Sequence, residues 1–193
     1  TILAYGQTGS GKTHTMFGPQ AVLTDFIKCD AAQRGIVPRA CIHLFDELGK
    51  EGGPADGKKK GRFVRCTYIE VYNDRLNDLL GGGTDLKMLD GKEGVTIAGV
   101  QEETVGSTQE VMDLLKRGNN RRVVAAMKMN DRSSRGHGIL SVQVVEPGAL
   151  GAEKTTKLNL VDLAGMESSK KSFAVEGASN APARREEAKN INV

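Results

Sequence analysis

A short apolar run, Thr1-Ile-Leu-Ala-Tyr5, leads directly into Gly6-Gln7-Thr8-Gly9-Ser10-Gly11-Lys12-Thr13, and this junction constrains the chain more than any other feature. The pattern is that of a Walker A loop. Its glycines let main-chain N–H groups surround phosphate oxygens, its lysine reaches the β and γ oxygens, and its hydroxyl binds Mg²⁺. Such a loop works between a strand and a helix. The sequence therefore predicts a strand ending near Tyr5, a turn over Gly6 to Thr13 and a helix opening behind it, within an α/β architecture.

With 193 residues, 38% hydrophobic and 26% charged, the chain suits one globular domain with a core of its own. The formal charge of +3 is scattered, which favours an acidic partner or a phosphorylated ligand without naming either. Aromatic residues are 4% of the chain and do not interleave with the basic ones, which argues against nucleic-acid binding. No apolar run approaches the roughly 20 residues that span a bilayer, and the N-terminus lacks the charged region and cleavage site of a signal peptide. The expectation is an intracellular chain without membrane insertion. Cys29, Cys41 and Cys66 are odd in number and far apart, so neither a disulfide framework nor a zinc site is indicated, and buried or idle thiols are expected.

Further along, Gly35 to Leu48 places Ile36, Ala40, Leu44 and Leu48 at helical spacing, with Pro38 in the first turn. Gly49 to Gly61, with Lys58, Lys59 and Lys60, reads as an exposed loop of solvated charges. Phe63 to Tyr72 reads as a strand and Val95 to Val100 as a shorter one, with Gly81-Gly82-Gly83 as a break between them. Ser107 and Glu110 have capping-box spacing, which predicts a helix running toward Ala126. Ile139 to Val145 and Thr156 to Leu163 read as antiparallel neighbours around a Pro-Gly turn. Glu167 to Ala181 reads as a loop, and Pro182 as the first turn of a helix reaching Val193. Alternation of strands and helices around a P-loop predicts a sandwich with a mixed, largely parallel central sheet.

Phosphoryl transfer also needs a carboxylate behind the metal, a γ-phosphate sensor and a group that positions water. Asp162 ends the apolar run Leu158-Asn-Leu-Val161, as a Walker B carboxylate would, and Gly165 follows three residues later. A glycine N–H so placed can meet the γ-phosphate only while it is present, which makes a switch. Asn130-Asp-Arg-Ser133-Ser134-Arg135-Gly-His137 is dense in hydroxyl, guanidinium and imidazole groups. By itself that segment is equally a polar connector and a loop that closes over phosphate and water. His43, on the 35–48 helix, reads as a surface or core-edge residue.

Taken together, these motifs resemble the kinesin motor family. The likeness rests on Ala4 to Met16, Asn130 to His137, Leu158 to Gly165 and Glu187-Ala-Lys-Asn-Ile-Asn192, which occur in family order. It implies a P-loop NTPase with a kinesin-like three-layer α/β sandwich, a mixed sheet flanked by helices, and ATP and Mg²⁺ as cofactors. Gly6 to Thr13 would hold the phosphates, with His14 near the adenine and Thr13 on the metal. Ser133 and Ser134 of switch I would contact γ-phosphate, metal or attacking water. In switch II, Asp162 would hold Mg²⁺ through water, Gly165 would sense the γ-phosphate, and Glu167 would pair with Arg135 to close the switches. The resemblance further implies a microtubule-stimulated ATPase in the cytoplasm on the microtubule cytoskeleton, with tubulin as partner and oligomeric state set outside this segment. It implies that residues 1–193 are part of a motor domain, lacking strands before the P-loop and elements after the switch II helix.

Two positions depart from the family pattern. Gly136 stands where a serine is usual between the switch I arginine and histidine, and Met166 where a small residue is usual before Glu167. Glycine should loosen switch I and methionine add bulk beside Gly165, altering closure. That leaves open a kinesin-like scaffold without useful turnover. Another P-loop NTPase such as a GTPase is disfavoured by the lack of an Asn-Lys-x-Asp motif.

Overall fold

The computed structural model describes residues 1–50, 62–91, 94–127, 136–148 and 152–166, with side chains omitted at 24 and 124–127. The expected loop over 167–181, the helix from Pro182 and most of the lysine-rich loop lie outside the described residues.

Strand β1 (Ile2–Ala4) feeds the glycine loop and the short helix α1 (Lys12–Phe17), followed by α2 (Gln20–Thr24) and α3 (Ile36–Lys50). Strand β2 (Phe63–Tyr72) has the predicted bounds. It turns through Asn73 and Asp74, both at positive φ (51° and 58°), into β3 (Arg75–Asp78). Paired left-handed residues of this kind make the tight turn whose twist suits a two-residue hairpin.

Of the strand predicted at 95–100, residues 98–100 are not strand, and 95–97 belong to one arm of a separate hairpin, β4 (Met88–Gly91) with β5 (Gly94–Ile97), off the main sheet. After β6 (Glu103–Val105) comes α4 (Thr108–Met127), within a residue of the predicted start and end. Half of the predicted capping box forms, the Glu110 N–H donating to Ser107 Oγ at 3.2 Å, while Glu110 Oε2 accepts from the N–H of Gly106, one residue before the cap, at 2.9 Å. Strands β7 (His137–Pro147) and β8 (Glu153–Asp162) form the expected antiparallel pair and run longer than predicted.

The six-stranded sheet has the order β1-β8-β7-β2-β3, with β6 sharing the outer edge of β2. Only β1 and β8 are parallel. The expectation of a largely parallel sheet is therefore corrected: the sheet is mixed but mainly antiparallel. The cause is connection length, since β2–β3 and β7–β8 are hairpins, and β2 inserts between β6 and β7 despite α4 joining them in sequence.

Alternation along the strands places Val64, Cys66, Tyr68, Leu140, Val142 and Leu160 in one core with Met16, Val37, Cys41, Val111, Leu114 and Leu115 from α1, α3 and α4. Thr67, Ile69, Gln143, Val145 and Val161, on the opposite face, are buried as well. The result is an α/β fold with a mixed sheet flanked by helices. The core thiols are inert: burial pushes Cys41 up to about 12 and raises Cys66 too, and all three cysteines are free. No described helix is long and apolar enough to cross a membrane.

Candidate functional site

The loop between β1 and α1 opens onto a cleft of about 450 Å³ at the ends of β1 and β8. Gly9 and Gly11 adopt φ of 78° and 90°, and a Cβ on either would meet no atom within 4 Å. The loop thus takes a left-handed path with its main chain open to the cleft, which only glycine adopts without strain. Thr8, Gly9, Gly11, Lys12, Thr13 and His14 line the cavity, as do Asp162 and Gly165. Gly6, Gln7 and Ser10 shape the loop from behind: Lys12 Nζ donates to Gly6 O and Gln7 O, each at 2.9 Å, and the Ser10 N–H donates to Gln7 O at 3.2 Å.

Parallel pairing of Ala4 with Asp162 brings the two motifs together although 149 residues separate Thr13 from Asp162. Thr13 Oγ1 donates to Asp162 Oδ2 at 2.8 Å, while Asp162 Oδ1 is buried without a hydrogen-bond partner among the described residues. A buried carboxylate oxygen left unpaired is costly, and a water held by a metal is the kind of donor that satisfies it. A hydroxyl whose proton already points at Asp162 keeps its lone pairs for an ion. The residues present therefore fit Mg²⁺ with a nucleotide phosphate.

Beyond β8 the chain is tied at two points. The Ala164 N–H donates to His137 Nδ1 at 3.0 Å, and the Met166 N–H donates to Gly6 O at 3.2 Å. His137 must be unprotonated at Nδ1 to accept, and burial, with a smaller push from Arg122 and an opposing pull from Asp162, lowers its pKa.

Two site residues escaped the sequence reading. Arg122, on α4, stands with Nε 3.3 Å from Glu70 Oε1 and Nη1 4.0 Å from Asp162 Oδ2, and it also donates to Gly136 O. Signals for both were present. Val111, Leu115, Gly118 and Arg122 recur at helical spacing on the buried face of α4, and Glu70 continues the inward alternation of Val64, Cys66 and Tyr68. A charge falling on a core face is a site signal.

Gly136 acquires a steric role besides the predicted loosening of switch I: a Cβ there would lie 2.8 Å from Glu70 Oε1. Asn130, Ser133, Ser134, Arg135 and Glu167 lie outside the described residues. His43 is a surface residue on α3, 4.0 Å from Glu47.

Comparison with known proteins agrees with this geometry. The kinesin motor domain family model matches residues 1–193. Kinesin-related protein 5 of Dictyostelium discoideum is 41% identical over 177 residues, covering 90% of this chain and 17% of that protein. Kinesin-like protein Klp61F of Drosophila melanogaster is 40% identical over 201 residues, covering 100% of this chain and 18% of its own length. The solved structure of a fast kinesin, described for its ATPase mechanism and interactions with microtubules, matches with a TM-score of 0.75 at 36% identity, over 98% of this chain and 49% of that one. The chain thus spans under a fifth of those two curated relatives. With Walker A and Walker B groups in contact across one parallel strand pair, and a family match along its whole length, this chain belongs to the kinesin motor domain family.

Proposed function

We propose that residues 1–193 are part of a motor domain that binds and hydrolyses Mg-ATP and couples closure of its switches to microtubule binding and movement. The observation that carries this reading is the contact of Thr13 Oγ1 with Asp162 Oδ2 at 2.8 Å, beside a buried, unpaired Asp162 Oδ1 and within one cleft with Lys12. Bound Mg²⁺ would neutralise charge on the β and γ phosphate oxygens. The chain supplies the rest. Lys12 exchanges its two carbonyl partners for phosphate, and the main chain at Gly9 and Gly11 borders the phosphates. Asp162 orients Thr13, and Gly165 presents its N–H where a γ-phosphate would end.

Ser133 and Ser134 would join from switch I, and closing the Arg135–Glu167 pair would complete the pocket. Microtubules (tubulin) are the proposed partner, with the cytoplasm and its microtubule cytoskeleton as the place of action. The relatives' kinesin names and the fast kinesin's described interactions support that assignment.

The test is steady-state ATP hydrolysis by the full-length protein with and without microtubules, alongside Lys12→Ala. Microtubule-stimulated turnover that is lost in Lys12→Ala is expected. Nucleotide binding without stimulated turnover would replace the motor reading by a scaffold.

A further inference from the structure

The ladder between β7 and β8 ends at the pair Gly138–Asp162. Two residues further, at Ala164, the chain has left the sheet, and its main-chain donor is taken by a side chain: His137 Nδ1, at 3.0 Å. His137 is the first residue of β7, and its own backbone is fixed by pairing with Val71 of β2. On the far side of Gly165, the Met166 N–H is held by Gly6 O of the phosphate loop at 3.2 Å. Gly165 therefore sits between two tethered neighbours, one fastened to the sheet through an imidazole and the other to the phosphate loop.

We propose that His137 is a positioning residue that presents Gly165 to the γ-phosphate by holding the Ala164 peptide. This rests on the reading of the cleft as an ATPase site, because it assigns Gly165 its partner. A donor that must meet charge arriving in the cleft is most effective when its peptide is already oriented. The Ala164 peptide lies beyond the last β7–β8 ladder pair, so the sheet does not orient its N–H, and an acceptor anchored on β7 does. Because His137 directly follows Gly136, whose carbonyl accepts from Arg122, the same tether links the end of switch I to the start of switch II. Phosphate binding by Lys12 and the glycine loop does not pass through this contact, so the two functions separate.

The test uses the full-length protein with His137→Phe, which keeps a ring but removes the acceptor, and His137→Asn, whose Oδ1 can take the place of Nδ1. Loss of one neutral hydrogen bond corresponds to about a fivefold fall in kcat for His137→Phe. Affinity for a fluorescent ADP analogue, which carries no γ-phosphate, should be unchanged. His137→Asn should recover most of the turnover. Hydrogen exchange at the Ala164 amide, followed without nucleotide, should quicken in His137→Phe and stay slow in His137→Asn. Wild-type kcat and exchange in His137→Phe would overturn the proposal, as would equal impairment of both variants. If the wild-type protein binds no nucleotide, the reading of the cleft fails while the exchange experiment still decides the tether.

Discussion

Strands β2, β7 and β8 carry ion pairs at both ends, and the two ends treat charge differently. Where Glu70, Gly138 and Asp162 stand abreast, Arg122 bridges both carboxylates, and the side chains of this trio are at most 9% exposed. At the other end Arg62 pairs with Glu146, and Arg65 with Glu102 at 2.8 Å and Glu153 at 3.9 Å, all 25–48% exposed. Water screens the second group, so each pair is worth a few tenths of a kcal/mol up to about 1 kcal/mol. The first group has given up its hydration and depends on its partners. Charges of the same type thus report different things. At the open end they cover the sheet edge, and at the cleft end they hold a polar site together inside the core.

The sharpest way to break this contrast is Arg122→Met. It takes the Arg122 guanidinium from Glu70 and a donor from Gly136 O, and truncating one partner of a buried pair costs about 3–5 kcal/mol. Urea unfolding of the full-length protein should give that loss for Arg122→Met and a partial recovery for Arg122→Met with Glu70→Gln, which neutralises one of the two buried carboxylates that lose Arg122. A cost no larger than that of Arg65→Met would dissolve the distinction between the two ends.

A second experiment asks how tightly the cleft end is packed. Gly118 lets α4 approach the sheet: a Cβ there would lie 2.4 Å from Tyr68 Cδ1, and Tyr68 is fully buried with its hydroxyl donating to Asn119 Oδ1 at 2.8 Å. Gly118→Ala must push the helix outward and should destabilise by about 1–3 kcal/mol. Since Arg122 lies one turn further along the same helix, ADP affinity should fall with stability. Gly49, near the end of α3, has no atom within 4 Å of its would-be Cβ. Gly49→Ala should be neutral or stabilising by up to about 1 kcal/mol. Equal effects at the two glycines would mean that α4 is not held against Tyr68.

The same contrast explains what could be read from the sequence. The phosphate loop, the start of α4 and both bounds of β2 were legible because each is written locally: in glycine spacing, in the Ser107–Glu110 cap and in the run from Phe63 to Tyr72. Asp162 was legible because it ends an apolar strand. Strands β3 and β6 were missed because three or four residues show no clear period, although Asn73-Asp74 was a usable turn signal for β3. Sheet direction was misjudged because insertion of β2 between β6 and β7 is a long-range choice that no local pattern records. Arg122 and Glu70 belong to none of the local motifs. Only their phase, on the faces of α4 and β2 that also carry core residues, distinguishes them.

The smallest expected effect completes the contrast at the open end. Arg65 lies between two carboxylates with its guanidinium 5.1 Å from the Phe63 ring centroid, and Arg62 meets Glu146. Arg65→Met and Arg62→Met should each cost no more than about 1 kcal/mol, since exposed cation–π and ion-pair contacts are each worth a fraction of that. Salt separates their origin. Raising ionic strength shortens the screening length from about 10 Å at 0.1 M to about 3 Å at 1 M, so the cost of both substitutions should shrink in urea melts at high salt. That of Arg122→Met should persist, because its partners are shielded from solvent. A salt-insensitive Arg65→Met would place the open end in the same regime as the cleft, and burial would no longer be what separates a surface ion pair from one that builds the site.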